Sequence, residues 1–441
     1  MNQDLFSIPE QIAADYSENA LWVAYSGGVD SHVLLHLLAS SDLIDLSRLH
    51  AIHIDHGLQA DSELWVSHCE QVASGLNVGF HCVRVAVNEI SKLGLEAAAR
   101  AVRYQAIADN VPAGDVVLLA QHQEDQAETF LLQLLRGAGV KGLSGMSSDF
   151  MLEGKHVVRP LLAISQGEVV VYAQEHGLVW VEDPSNIDTG FNRNYLRQCV
   201  WPLLEARWPS AAKSLSRSAT YCAEADALLS ELASIDFLTM GVDLSEAVIS
   251  VTALLDLSPA RARNLIRYVL GELDLAMPSA VILQRILDEV CLAAEDRVPV
   301  VSWANIDARR YRDTLYFLSP QIDQDPTEYH LCSGPGDILL SDGRVMTWLE
   351  VEKVGISEAL FEQGLKLGFR QGGETIQLVG HAHHKSLKQL YQEWAIPPWE
   401  REHIPLLFCG DRLLAVVGYG FSEECALLTG QKGYFPLIEV V

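Results

Sequence analysis

The sequence predicts an α/β protein: a doubly wound, parallel-sheet N-terminal domain, then a mainly helical middle domain and a small α+β C-terminal domain. Three observations carry this. Strand and helix signals alternate from residue 21 to about 145. The chemistry-bearing motifs fall at strand C-terminal ends, where an open parallel sheet binds ligands. From about 216 to 295 the periodicity is helical without strand alternation. At 441 residues the chain fits two or three domains, and 49% hydrophobic with 20% charged residues is ordinary globular composition, which argues against disorder.

The first element is the apolar run Leu21–Tyr25, a buried strand, followed by a helix over His32–Ala39. Between them lies Ser26-Gly27-Gly28-Val29-Asp30-Ser31. Two glycines permit positive φ and close backbone approach, and the next helix aims free N–H groups into the loop, so an anion such as phosphate is the natural guest. No Lys follows the glycines, so this is not a Walker A loop, nor is it G-x-G-x-x-G. Asp30 would repel a phosphate unless a cation stood between them, which implies Mg²⁺. A glycine-rich βα turn without a ligand is the bland alternative.

Leu49–Asp55 is the second strand, Asp61–Leu76 a helix, Phe80–Val87 a third strand, Glu96–Asn110 an Ala-rich helix and Asp115–Ala120 another buried strand. His53 and His56 end the second strand; with no third ligand nearby, a nucleobase-facing rim is the better reading than a metal site. On the Ala-rich helix, Glu96, Arg100, Arg103 and Tyr104 lie on neighbouring turns, either as a solvated face or with Arg100 meeting phosphates. A strongly apolar helix over Glu124–Arg136 is stopped by Gly137 and Gly139. It opens with acidic residues, where the helix dipole favours them, and Asp125 and Glu128 share a face at i, i+3. Such a pair suits a cation, either Mg²⁺ or an amine.

Residues 160 to about 215 read as helices tied to the first domain. Within them Arg193, Asn194, Tyr195 and Arg197 begin a locally basic stretch reaching Arg217, either an ordinary solvated face or an RNA footprint. Further on, Ser258-Pro259 opens a helix, Val300–Leu318 suggests a small hairpin, and Ser319–Glu328 reads as a linker. Short strands near Val345–Val351, a helix Lys385–Trp394 and a hairpin Leu406–Val417 come after it. The expected domains are therefore 1–215, 216–318 and 346–441, with a linker over 319–345. In the last, Arg370, His381-Ala-His383-His384, Lys385, Lys388, Trp399 and Arg401 are basic or aromatic; RNA contact is preferred to a metal for the adjacent histidines, and core packing is an equal reading for Trp399.

The formal charge of −27 argues against a nucleic-acid partner unless the footprint is local. The eight cysteines never form C-x-x-C, which argues against zinc, iron–sulfur and disulfide frameworks and fits a reduced cytoplasm. No signal peptide and no membrane span are expected.

Taken together these motifs closely resemble the tRNA(Ile)-lysidine synthases, members of the N-type ATP pyrophosphatases. The resemblance runs through Ser26–Ser31, His53-x-x-His56-Gly-Leu, Glu96-x-x-x-Arg100-x-x-Arg103-Tyr104, Asp125-Gln-Ala-Glu128-Thr, Gly142-Leu-Ser-Gly-Met146 and Arg159-Pro-Leu-Leu. It continues through Glu182-Asp-Pro-Ser-Asn-x-Asp188, Arg193-Asn-x-Leu-Arg197, Arg370-x-Gly-Gly-Glu, Leu387-Lys-x-Leu-x-Gln-Glu and Pro397-Pro-Trp-x-Arg401. It implies a Rossmann-like PP-loop fold that binds ATP and Mg²⁺, and ligation of free lysine to C2 of the wobble cytidine in a CAU-anticodon tRNA(Ile). The C2 oxygen attacks the α-phosphate, pyrophosphate leaves, and lysine then displaces AMP.

The catalytic set it implies is Asp30, Asp125, Glu128 and Arg100, with Asp125 and Glu128 also binding lysine. ATP would be held by Ser26, Gly27, Gly28, Val29, Asp30, Ser31, His53 and His56, with Asp30 on Mg²⁺. For tRNA the set is Arg193, Asn194, Arg197, Arg370, Lys385, Lys388, Trp399 and Arg401. Cytoplasmic location, no DNA, no membrane and room for a homodimer complete the expectation. Where the family usually has His-His-x-Asp-Asp-Gln, this chain has Gln121-His122-Gln123-Glu124-Asp125-Gln126, so Gln121 and Glu124 are not carried over as catalytic. Two other readings stand beside it: another adenylating pyrophosphatase, and a tRNA-binding module with a silent nucleotide pocket.

Overall fold

The computed structural model describes residues 4–57, 62–85, 95–240, 248–294, 297–318, 330–340 and 343–440. The chain forms two compact units, 1–232 and 233–441.

The first unit is built on a six-stranded sheet. In chain order its elements are α1 (Ile8–Asp15), β1 (Leu21–Ala24), α2 (Val29–Ala39), β2 (Leu49–Asp55), α3 (Ser62–Gly75), β3 (Gly79–Arg84), α4 (Leu95–Asn110) and β4 (Val116–Leu118). Then come α5 (Gln123–Leu135), α6 (Val140–Leu143), β5 (Asp149–Leu152), β6 (Lys155–Val158), α7 (Gln166–Glu175), α8 (Asn192–Tyr195), α9 (Trp201–Arg207) and the long α10 (Ala211–Thr239), whose residues from Ala233 onward belong to the second unit. Strand order is β3-β2-β1-β4-β6-β5, parallel throughout except for β5. The order reverses between β1 and β4, the topological switch at which such sheets bind ligands.

Alternation divides β1 between two cores. Leu21, Val23 and Tyr25 pack with Val33, Leu34 and Leu38 of α2 and Val169 and Tyr172 of α7 on one face. Trp22 packs with Ile52, Ile107, Val111 and Val117 on the other, under α4. α2 is apolar nearly all round because it is buried nearly all round.

The second unit begins with β7 (Val248–Ser250), α11 (Val251–Asp256), α12 (Pro259–Glu272) and α13 (Ala280–Arg285). Ser258 sits at the α12 cap with Pro259 in the first turn, and Ala262, Leu265, Ile266, Val269 and Leu270 face the core. These helices pack on a sheet ordered β7-β10-β9-β8, with β8 (Val300–Trp303), β9 (Ile306–Tyr311) and β10 (Thr314–Leu318). The expected hairpin over Val300–Leu318 is thus three strands of a four-stranded sheet.

The C-terminal part holds β11 (His330–Cys332), β12 (Ile338–Leu339), β13 (Arg344–Val351), β14 (Ile356–Ser357), α14 (Glu358–Glu362) and β15 (Leu365–Gly368). It ends with β16 (Thr375–Ile376), β17 (Lys385–Ser386), α15 (Leu387–Glu393), β18 (Leu406–Cys409), β19 (Arg412–Val416), β20 (Gly420–Phe421) and β21 (Gly433–Val440). Its sheets run β11-β15-β18-β19-β20, β12-β13-β21-β14 and β16-β17.

Several expectations change. The helix expected over His32–Ala39 starts at Val29, so Val29, Asp30 and Ser31 form the first turn of α2. The β5–β6 hairpin has no counterpart in the sequence pattern; its strands are four residues each, too short for alternation to register. The expected boundary at 215/216 falls inside α10, where the helical pattern continues unbroken to Thr239. Of the expected linker, Ser319–Glu328 lies outside the described residues, but β11 and β12 occupy part of 330–345 because Cys332 pairs into the β15 edge and is buried.

Candidate active site

The loop after β1 is braced by its own hydroxyls. Ser31 Oγ receives Ser26 N–H at 3.2 Å and donates to Gly28 O at 3.0 Å, while Ser26 Oγ lies 3.1 Å from Ser31 Oγ. Gly27 holds φ +85°, and a Cβ there would meet Cys69 Sγ of α3 at 3.0 Å. That position therefore needs glycine twice over, for its conformation and for its space. Gly28 caps α2, so the free N–H groups of the first turn face the C-terminal edge of β1. The arrangement is a backbone cradle for an anion.

Asp30 projects from that turn toward α5. His122, the α5 cap and only 2% exposed, places Nε2 3.9 Å from Asp30 Oδ2 and 3.5 Å from Asp125 Oδ2. Its Nδ1 lies 3.0 Å from Glu124 Oε2. Burial opposes the charged imidazole, but the Glu124 hydrogen bond and the Asp125 and Asp30 charges raise its pKa above the ordinary value. Burial also raises the Asp30 carboxyl, with Asp125 adding to it and His122 and Arg197 opposing.

Asp125 and Glu128 come together as their spacing requires. Their partners correct the sequence reading: Arg193 and Arg197 do not lie on an open basic stripe. Arg197 reaches Asp125 Oδ1 at 2.6 Å and Glu128 Oε1 at 2.5 Å. Arg193 Nε stands 3.1 Å from Glu128 Oε2, and its terminal nitrogen donates to Thr129 Oγ1 at 2.8 Å. Glu128 is 3% exposed, and burial first, then the Asp125 charge, raises its carboxyl above the ordinary value while Arg197 and Arg193 oppose the shift. Asn194 Nδ2 donates to Asp188 O.

A second network flanks the site. Arg159 donates to Gln121 Oε1 (3.0 Å), Ser147 O (2.6 Å) and Tyr104 Oη (3.2 Å). Tyr104 Oη also receives Arg100, whose guanidinium is exposed. Gln121 and Glu124 thus have structural work: Gln121 orients Arg159, and Glu124 holds His122 and accepts Gln166 N–H. Gln126 exchanges hydrogen bonds with Met146 N and O at 2.7 and 2.9 Å, and the positive-φ Gly145 leaves room for its amide. Sequence reading gives no role to His122, Gln126, Thr129 or Arg159. A buried polar residue in a motif is the available signal, and burial is not visible in the sequence.

His53 is buried with Nδ1 2.9 Å from Tyr25 O, so one ring nitrogen serves β1. Both His56 nitrogens are buried without a hydrogen-bond partner. Burial holds both imidazoles below the ordinary value, with Arg103 adding to the effect. Leu58 and the Glu96 side chain lie outside the described residues.

In the second unit the expected tRNA residues divide. Lys388 is exposed on α15, whereas Lys385 pairs with Glu393 at 2.7 Å. Arg370 lies over the Tyr391 ring at 5.9 Å. Trp399 packs edge-on to Tyr311 and Tyr316, under Arg309, and Arg401 donates to Ile396 O and Tyr311 Oη. Trp399 and Arg401 therefore join β9 and β10 to the C-terminal part.

Among the described residues no group of three or more His, Cys, Asp or Glu side chains is arranged to hold a metal alone. Mg²⁺ asks less: one or two carboxylates, with phosphate oxygens and water completing its shell. Asp30 fits, since its Oδ1 is buried without a hydrogen-bond partner beside the cradle. Two cavities of about 460 and 480 Å³ lie elsewhere in the first unit, lined by neither the loop nor Asp125 and Glu128.

Comparison with known proteins covers the same regions. Residues 3–204 match a PP-loop domain, 249–316 a TilS substrate binding domain and 365–437 a TilS substrate C-terminal domain. The chain is 39% identical to a tRNA(Ile)-lysidine synthase of Coxiella burnetii, covering 92% of this chain and 90% of that one. It is 40% identical to one from Serratia proteamaculans, covering 93% and 94%. Among solved structures, a U34-tRNA thiolase from Methanococcus maripaludis is 16% identical with TM-score 0.41, covering 49% of this chain and 78% of that one. A likeness that slight carries no argument about function.

Proposed function

The chain belongs to the tRNA(Ile)-lysidine synthase family, an ATP-using ligase family acting on tRNA(Ile), and from that premise we propose how its residues divide the work. The cradle of Ser26–Ser31 holds the ATP phosphates through backbone N–H groups, with Asp30 holding Mg²⁺. Bound there, Mg²⁺ would offset phosphate charge. The reaction has two halves. The C2 oxygen of the wobble cytidine bonds to the α-phosphorus and pyrophosphate leaves; the ε-amine of free lysine then bonds to C2 and AMP leaves. Asp125 and Glu128 hold the lysine ammonium. Arg100 faces phosphate or RNA backbone, and Lys388 and Arg370 contact tRNA.

The observation that supports this reading best is the linkage of two anionic sites through one buried imidazole: Asp30 by the cradle, His122, then Asp125 on α5. That linkage sets the cradle and the carboxylate pair side by side, so both half-reactions can share one site. The amine cannot only be held. Its pKa of about 10.4 leaves roughly one molecule in a few thousand neutral at pH 7, so a carboxylate or an AMP phosphate oxygen must accept its proton. Eight free cysteines support a cytoplasmic enzyme.

The test incubates protein, tRNA(Ile), lysine and ATP. Lysine-modified cytidine by mass, with AMP and pyrophosphate released together, is expected. ADP as product would overturn the class. Asp30→Asn should abolish tRNA-dependent pyrophosphate release with circular dichroism unchanged; release at the wild-type rate would remove Asp30 from its role.

A further inference from the structure

The proposed lysine seat is already filled, by a residue of the chain itself. Arg197 spans both carboxylates, on Asp125 Oδ1 at 2.6 Å and Glu128 Oε1 at 2.5 Å. The second Glu128 oxygen faces Arg193 at 3.1 Å. Each Glu128 oxygen thus has a guanidinium beside it, although Oε2 takes no hydrogen bond from Arg193, and a free ammonium arriving there would meet two positive charges.

We propose that Arg197 makes lysine binding conditional on nucleotide: its guanidinium occupies the amine seat in the resting enzyme and transfers to nucleotide phosphate when the cradle is filled, which opens the seat. This rests on the reading that Asp125 and Glu128 take the lysine ammonium.

Three features favour Arg197 over Arg193 as the moving group. The Arg197 side chain is 38% exposed against 21% for Arg193, and Arg193 is additionally tied to Thr129 Oγ1. Arg197 also lies in a π-helical segment, Leu196–Val200, where the backbone leaves the tighter α-helical ladder of α8. Finally, it stands close to the loop. Asp125 carries Arg197 on one oxygen and His122 on the other, and His122 meets Asp30, so Arg197 and Asp30 act on each other electrostatically. Phosphate entering the cradle adds negative charge on that side, and a guanidinium fork suits phosphate as well as carboxylate. The nucleotide alone suffices, because phosphate and not RNA competes for the guanidinium. Lysine therefore binds after ATP.

The experiment is equilibrium dialysis of radiolabelled L-lysine against the full-length protein, with and without α,β-methylene ATP and Mg²⁺, whose α–β bridge cannot be cleaved. Wild type should bind lysine at least about tenfold more tightly with the analogue. Arg197→Gln should bind lysine with equal affinity in both conditions. Equal wild-type affinity with and without the analogue overturns the proposal, as does Arg197→Gln keeping the full nucleotide dependence. Should Arg197→Gln fail to fold, the two wild-type arms still decide. Glu128→Gln separates the two levels of inference. If it keeps wild-type lysine affinity, the seat itself is elsewhere. If it loses lysine while wild type shows no nucleotide dependence, the seat stands and only the gate falls.

Discussion

At the scale of single residues, the site is a small set of buried charges whose partners fix their states. Glu128→Gln keeps the shape of the side chain and removes the charge that two arginines neutralise. Lysidine formation should fall at least tenfold while adenylated tRNA accumulates when lysine is limiting, read by quenched mass analysis. The protein should also lose stability, since breaking a buried ion pair costs about 3–5 kcal/mol, less here because the amide can still accept. If Glu128→Gln and Asp125→Asn both use lysine with wild-type kinetics, that assignment is wrong. Two histidines set opposite pH limits. The native pKa of His122 is raised, so its contribution is complete below the unfolded value of about 6.5 and is lost as pH climbs through the higher native value. His32 is pushed down to about 4, by burial first and by His68 and His36 next. Its contribution is present above the unfolded value and is lost as pH falls toward 4. Denaturation midpoints against pH should show His32→Gln softening the acid-side loss and His122→Gln flattening the neutral-to-alkaline side. The acid-side loss persists in part, because burial also lowers His36, His50 and His53.

At the scale of elements, the strand–loop–helix unit carries two separable demands at Gly27. Gly27→Ala puts a side chain at φ +85° and against Cys69 Sγ. The left-handed conformation alone costs an alanine about 1–2 kcal/mol. Cys69→Ala removes the contact and leaves the strain, so the double variant should recover only part of the ATP affinity lost by Gly27→Ala, measured by nucleotide titration. Full recovery would mean that the loop's conformation tolerates a side chain. This unit is largely legible in the sequence: Leu21–Tyr25 is apolar, and the two glycines mark the turn. The helix start is not, because Val29-Asp30-Ser31 has poor helix propensity, and the structure overrides it with a first ladder bond from His32 N–H to Gly28 O at 3.0 Å. The π segment Leu196–Val200 is not legible at all, since widening by one residue leaves no period to detect.

At the scale of the whole molecule, a net charge of −27 sets the terms on which any RNA can approach. Log affinity for tRNA should fall with log salt, and Lys388→Ala should flatten that slope by about one unit. Arg193→Ala should leave the slope unchanged, because that guanidinium faces Glu128; a flattened slope there would return Arg193 to the RNA surface. Trp399→Ala should lower the melting temperature of the second unit, since its ring fills the space against Tyr311 and Tyr316. Weakened tRNA binding with an unchanged melting temperature would show that the ring is an RNA contact instead. The sequence by itself determined the α/β alternation, the glycine turn after β1 and the shared face of Asp125 and Glu128. Those are local properties, set by the period of the chain, the φ freedom of glycine and the pitch of a helix. Only the tertiary structure decided what stands against those carboxylates. Arg197 comes to them from 69 and 72 residues away, and the partner of a buried charge is chosen by distance in space, where a low dielectric makes pairing obligatory.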